Sequence, residues 1–124
     1  MSLKIHSVEN SSKPIDEIVW IDVLADTSLN GYALIDRTFG STGKISNEFR
    51  HIFVFPALSV KKYDYIRLSS GKGTYSTSSN SRGGTTYFLY WESDECVWNN
   101  NGGDYATLIN FKAVDSHIVP AVGK

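Results

Sequence analysis

The sequence predicts an all-β fold, a sandwich of about eight or nine antiparallel strands, on three observations. Aromatic residues make up 13% of the chain (seven Tyr, six Phe, three Trp) and stand among Val, Ile and Thr, side chains that pack well on a pleated surface. Short apolar or alternating runs recur between clusters of Ser, Asn, Gly and Pro, with no long 3.6-residue period between them. Helix formers are sparse, with six alanines and five glutamates. A closed barrel is the alternative. The 124 residues amount to one domain, 1–124, large enough to bury a core without staples.

The elements follow in order. Leu3-Lys-Ile-His-Ser-Val8 alternates apolar and polar residues over most of its length, as a half-buried strand does, and Asn10-Ser-Ser-Lys-Pro14 ends it. Ile18-Val-Trp-Ile-Asp-Val-Leu24 is too continuously apolar for a solvated edge and predicts a central strand. Leu29-Asn-Gly-Tyr-Ala-Leu-Ile-Asp36 opens on an Asn-Gly turn signal and continues as a strand. His51-Ile-Phe-Val-Phe-Pro56 is a strand stopped by a proline that cannot donate to a ladder. Tyr63–Leu68, Thr85–Trp91, Tyr105–Ile109 and Ala113–Val119 complete the set. Between Ser69 and Thr86, fourteen of eighteen residues are Ser, Thr or Gly. That composition reads as a flexible loop, 69–86, or as two short strands around a mobile tip.

The stretch "CVWNNNGGDYATL", from Cys96 to Leu108, is the most motif-like in the chain. Trp98 after Val97 reads as a core anchor at a strand end. Asn99 to Gly103 tolerates positive φ throughout, so the chain can reverse there. Asp104 can accept from backbone N–H groups at the turn. Ala106 and Leu108 then share one face, Tyr105 and Thr107 the other. The unit predicts a hairpin that drives Trp98 and Leu108 into one core, with ligand contact at the Asn-Gly tip as the alternative.

These residues resemble the signature of lamin-tail domains, the immunoglobulin-like module of nuclear lamins that also occurs widely in bacterial proteins. Trp98, Asn99, Gly103, Asp104, Ala106 and Leu108 match it. Asp16-Glu17-Ile18-Val19 looks like the start of that family's second strand, and Leu29–Asp36 is similar to its "L-S-G-W-x-L-x-D" segment. Phe53-Val-Phe-Pro56 with Leu58, then Tyr65–Leu68 and Gly71, resembles its central portion. Val60-Lys-Lys-Tyr63 replaces the family's Pro-Gly turn, and Asn110-Phe-Lys112 replaces the glycine that follows the Gly-Asp strand. The resemblance implies an immunoglobulin-like sandwich acting as a non-catalytic adaptor for protein partners or nucleic acid. Trp98, Asn99, Gly103, Asp104 and Leu108 enter it as fold-building residues, not as a site.

Chemistry is sought elsewhere without result. His6, His51 and His117 stand in no metal-ligand spacing, and Glu92-Ser-Asp-Glu95 reads as a solvated acidic turn before it reads as a Ca²⁺ site. Gly71-Lys72 and Gly43-Lys44 both fail the P-loop pattern, and no serine sits in a G-x-S-x-G elbow. No cofactor and no enzyme are implied. Cys96 is the single cysteine, which forbids an intrachain disulfide; its apolar neighbours predict a buried, unreactive thiol. A formal charge of −1 removes the general electrostatic argument for nucleic acid, leaving room for a local basic patch. No run is long enough to insert in a membrane as a helix, and no export signal leads the chain, although a module taken from a longer protein can still be extracellular or at the cell surface.

Two features fit binding. Strand Thr85–Trp91 puts Tyr87, Leu89 and Trp91 on one face and Phe88 and Tyr90 on the other, so one aromatic band faces outward unless a loop covers it. Lys72, Tyr75 and Arg82 on the Ser/Gly stretch combine cations with an aromatic, a set that holds phosphates and stacks bases. Lys72, Tyr75, Arg82, Tyr87 and Trp91 are therefore the candidate ligand-binding residues. The expected partner is another protein or a second copy of the chain, with DNA less supported. The competing function is a self-associating structural module joined through the aromatic strand or a sheet edge.

Overall fold

The computed structural model describes residues 1–39, 45–98 and 104–123, with side chains described outside 37–50 and 104. Among these residues run ten strands: β1 (Leu3–Glu9), β2 (Ile18–Val23), β3 (Thr27–Ser28), β4 (Tyr32–Phe39), β5 (Ile45–Val54), β6 (Ser59–Val60), β7 (Tyr65–Ser69), β8 (Ser76–Ser79), β9 (Thr85–Tyr90) and β10 (Asp104–Asn110). One 3₁₀ turn, Pro14–Asp16, precedes β2, and the described residues contain no α-helix. The strands form a five-stranded sheet in the order β1-β2-β7-β9-β8, a three-stranded sheet β10-β4-β5, and the short pair β3-β6.

Alternation places the core. Val19, Ile21 and Val23 of β2, Ile66 and Leu68 of β7 and Leu89 of β9 face inward from the large sheet, against Leu34 of β4. Leu29, Phe55, Val60, Val97 and Trp98 fill the core from the connecting segments. Each fully buried Ile or Leu contributes about 1.5–3 kcal/mol by leaving water. Two principal sheets thus share one core, an arrangement consistent with a β-sandwich. The continuous apolar run of β2 is explained by its place: it pairs with β1 on one side and β7 on the other.

The structure departs from the sequence expectation in five respects. The strands outnumber the expected eight or nine because β3, β6 and β8 are too short or too polar to carry a period. The large sheet is mixed, since β7 and β9 pair in parallel. The chain leaves β7, passes one strand position, returns as β8, and β9 fills the gap by pairing with both. Third, the Ser69–Thr86 stretch that makes this crossing takes the second of its two readings, two short strands (β8 and the start of β9) around the turn at 80–84, instead of an open loop. Ser69 and Ser70 are buried; the Ser69 hydroxyl donates to Ile15 O at 2.8 Å, and Ser70 N–H donates to Glu17 O at 3.0 Å. Gly71 passes so close to Ile15 that a Cβ there would lie 2.6 Å from the Ile15 Cα. Fourth, Trp98 and Leu108 do enter one core, but β10 takes its ladder from β4, and residues 91–98 form no strand. The Asn99–Gly103 tip lies outside the described residues. Finally, Ala113–Val119 forms no strand.

Three buried acids satisfy backbone donors, Glu17 and Asp64 tying irregular segments to the sheets and Asp36 joining β4 to β5. Glu17 is fully buried, and its carboxylate accepts Val97 N–H at 2.8 Å and Trp98 N–H at 3.3 Å. Asp36 accepts His51 N–H at 2.6 Å and meets the His51 Nδ1 at 3.0 Å. Asp64 accepts Lys61 N–H at 2.8 Å and Thr85 N–H at 2.9 Å, joining the turn before β7 to the start of β9. Each carboxylate satisfies backbone donors that burial would otherwise orphan.

Candidate functional site

The register of the large sheet aligns residues from distant parts of the sequence on its outer face. Trp20 of β2 lies opposite Arg67 of β7, and Arg67 lies opposite Phe88 of β9. The Arg67 guanidinium sits between the two rings, 5.9 Å from the Trp20 centroid and 5.5 Å from that of Phe88. Both distances fall within the cation–π range of about 6 Å. Two residues back along β7, Tyr65 projects on the same face and meets Trp20 edge-on at 6.2 Å.

Arg82 reaches Tyr65 from the turn between β8 and β9. Its guanidinium lies 5.2 Å from the Tyr65 ring and 5.1 Å from the Tyr63 ring, and its Nη1 donates to the Tyr65 hydroxyl at 3.2 Å. That hydrogen bond holds the guanidinium pKa above its ordinary value. The turn itself is built by Asn80, whose Oδ1 accepts Arg82 N–H at 2.8 Å and Gly84 N–H at 3.0 Å and whose Nδ2 donates to Tyr63 O at 3.0 Å. Tyr63 stands at φ 79°, a left-handed conformation that costs a bulky residue energy and that these bonds hold in place.

Two arginines, each held over two rings, therefore share one open face. Aromatic contact restricts the guanidinium groups, whose N–H donors are of the kind that engage a carboxylate or phosphate. The face is of mixed charge. Glu9 accepts from the Trp20 indole N–H at 3.1 Å, and Asp22 meets His6 at 3.3 Å, while Lys62 lies 5.2 Å from the Tyr63 ring.

The five candidate residues from the sequence do not converge. Arg82 is on the outer face just described. Tyr87 and Trp91 point inward and pack against the core. Trp91 meets Trp98 at 6.0 Å, Phe53 at 5.6 Å and His51 at 6.4 Å, and burial together with Asp64 pushes the Tyr87 hydroxyl pKa up. The outward aromatics of β9 are Phe88 and Tyr90, and the Ser/Gly stretch covers part of the latter, since a Cβ on Gly73 would lie 2.4 Å from the Tyr90 ring. Lys72 is exposed and ion-paired with Asp94 at 2.7 Å, a hydrogen bond that raises the ammonium pKa and lowers that of the carboxylate. Tyr75 lines an apolar cleft of about 330 Å³ with Phe53, Leu58, Leu89 and Tyr90. Of the signature residues, Trp98 is buried, Leu108 packs on the core from β10, Asp104 begins β10, and Asn99 and Gly103 lie outside the described residues.

Sequence reasoning missed Trp20, Arg67 and Phe88 as a set, because only the register brings three strands together at that row. The available signal was face parity: Trp20 breaks an otherwise apolar inward pattern, and Arg67 alternates with Ile66 and Leu68. Among the described residues no group of three His, Cys, Asp or Glu side chains could hold a metal ion, and no helix is long and apolar enough to cross a membrane. No protein-family model matches the chain, and no curated protein or solved structure matches it.

Proposed function

We propose that the chain is a non-catalytic binding module, an immunoglobulin-like domain of the lamin-tail type, that takes an acidic protein segment on the outer face of its five-stranded sheet. The observation that carries this reading is the pair of arginines, Arg67 and Arg82, each held over two aromatic rings on one open face. Pre-ordered guanidinium groups lose little freedom on engaging a carboxylate, and the surrounding rings add apolar area. Glu9 and Asp22 on the same face interrupt the positive field that a nucleic-acid backbone tracks, which favours a short acidic peptide over a polyphosphate chain. The lamin-tail resemblance supports the adaptor reading through Trp98, Asp104 and Leu108.

The test is a titration of Glu/Asp-rich peptides, with single-stranded DNA in parallel, followed by Trp20 fluorescence. Peptide binding that weakens at least tenfold in the Arg67→Gln, Arg82→Gln double variant is expected. Peptide affinity that the double variant leaves unchanged, or no peptide binding at all, refutes the reading. DNA binding with a steep salt dependence would transfer the site to nucleic acid.

A further inference from the structure

The cleft that Tyr75 lines includes neither Arg67 nor Arg82, and its walls carry a different chemistry. We propose that it holds a methylated ammonium headgroup, a small organic cation seated among aromatic rings beside Glu92.

The rings come from three separate segments. Phe53 stands on β5, Tyr75 just before β8 and Tyr90 at the end of β9, and with Leu58 and Leu89 they line about 330 Å³. Small-molecule sites run from roughly 300 to 1,000 Å³, so this one suits a single compact group. Two of the rings are fixed before anything enters. Phe53 packs edge-on against Phe55 at 5.1 Å and tilted against Trp91 at 5.6 Å. Gly73 lies so close to Tyr90 that a Cβ there would fall 2.4 Å from the ring. Tyr75 is 49% exposed, so a ligand can reach the third ring from solvent.

Rings alone would accept any apolar group; the acids beside them select a cation. Glu92 lines the same cleft and stands at φ 66°, a left-handed conformation that costs a non-glycine residue energy. Two backbone bonds impose it: Glu92 N–H donates to Gly71 O at 3.1 Å, and Ser93 N–H to Ser70 O at 2.9 Å. Strain of this kind collects at ligand clamps. Asp94 and Glu95 follow on the same turn, while the nearby base, Lys72, pairs with Asp94 at 2.7 Å. Among the described residues no ion pair reaches Glu92.

A cation gains from the faces of the rings and again from the carboxylate. An anion would meet three acids, and a neutral group would draw nothing from Glu92. Methylation follows from the walls. A primary ammonium brings three N–H donors, which ring carbons and leucine side chains leave unpaired. Methyl groups remove that demand and keep the charge.

Amide NMR spectra of the whole chain, titrated with choline chloride, test this. Choline is expected to shift the amides of Gly73, Leu89, Tyr90 and Glu92 saturably. A neutral alcohol with a tert-butyl group in place of the trimethylammonium should bind about tenfold more weakly. Glu92→Gln and Tyr75→Leu should each weaken choline about threefold. Both positions are exposed, so circular dichroism should be unchanged. The comparison of choline with the alcohol uses the parent chain, so it decides the matter even where a variant fails to fold. A trimethyl-lysine peptide that binds more tightly than choline assigns the headgroup to a protein side chain, and one that binds more weakly assigns it to a free small molecule. Equal binding of the neutral alcohol, no saturable shift at these four amides, or a choline affinity that both variants leave unchanged overturns the proposal. None of these outcomes bears on Arg67 or Arg82, so this inference and the acidic-peptide reading fail separately.

Discussion

Replacing Glu17 by alanine is the most direct probe of how this chain holds its irregular segments. The carboxylate is fully buried and gives one oxygen to Val97 N–H and the other to Trp98 N–H, at 2.8 and 3.3 Å. Alanine removes both acceptors together with the charge, so the loss is that of two buried donors left unpaired. Each such donor costs about 1–3 kcal/mol, and a central expectation for Glu17→Ala is about 4 kcal/mol. Glutamine keeps one acceptor oxygen but turns an amide N–H₂ toward the second donor, which places Glu17→Gln at about half that loss. At this chain length, about 4 kcal/mol lowers the melting midpoint by about 12–20 °C.

Urea denaturation followed by tryptophan fluorescence measures the loss. Because Trp98 sits on the affected segment, its emission should shift in the folded Glu17→Ala protein before the global transition. Glu17→Ala within 1 kcal/mol of the parent at an unchanged m-value would refute the clamp, as would a Glu17→Gln protein less stable than Glu17→Ala.

Further outcomes follow from the same geometry. Gly84→Ala should cost about 2–3 kcal/mol in a urea melt, because its Cβ would lie 2.4 Å from the backbone carbonyl oxygen of Tyr63. Gly83→Ala, at φ 84° but in open space, should cost only about 1–2 kcal/mol. Burial, and after it Glu17, pushes the Cys96 thiol pKa above its usual 9.0, so iodoacetamide at pH 8 should alkylate the folded protein more slowly than the unfolded one. The linked stability is complete below pH 9.0 and declines as pH rises through the raised thiol pKa, which a melt series on the alkaline side reads against Cys96→Ala. Lys72→Met should leave the melting midpoint unchanged, since both partners of its ion pair with Asp94 lie in water.

The parts legible in the sequence are those where burial imposes a period. β1 and β7 largely alternate because one face meets the core, whereas β2 and β4 read as continuous apolar runs because each pairs on both sides within its sheet. β8 carried no such signal: Ser76 to Ser79 are exposed on both faces, so nothing in their polarity distinguishes strand from loop. The parallel β7–β9 pair was equally hidden, because a period of two fixes faces and leaves strand order open. Glu17 was legible as part of an acidic start to β2 and invisible as a core residue, since its partners are backbone donors eighty residues away. For the site, parity separates Phe88 and Tyr90 from Tyr87 and Trp91 without saying which pair faces out, and the Trp20–Arg67–Phe88 row needs the register of three strands. Arg82 is legible in the sequence as a cation on the Ser/Gly stretch, but its neighbours are not: Lys72 is paired with Asp94, and Tyr63 and Tyr65, not Tyr75, flank the guanidinium.

The net charge also changes meaning once the interior acids are located. Thirteen acids against twelve bases give no general electrostatic argument for an anionic partner. Glu17, Asp36 and Asp64, however, are buried and direct their oxygens at backbone N–H groups, so they present no carboxylate to a partner. Ten acids then remain against the twelve bases. Two of those bases, Arg67 and Arg82, are held by rings instead of by carboxylates. A guanidinium held by an aromatic ring keeps its charge, whereas Lys72 pairs with Asp94 in water. The burial of these three acids is what the acidic-peptide proposal relies on, and the titration of Arg67→Gln with Arg82→Gln tests it.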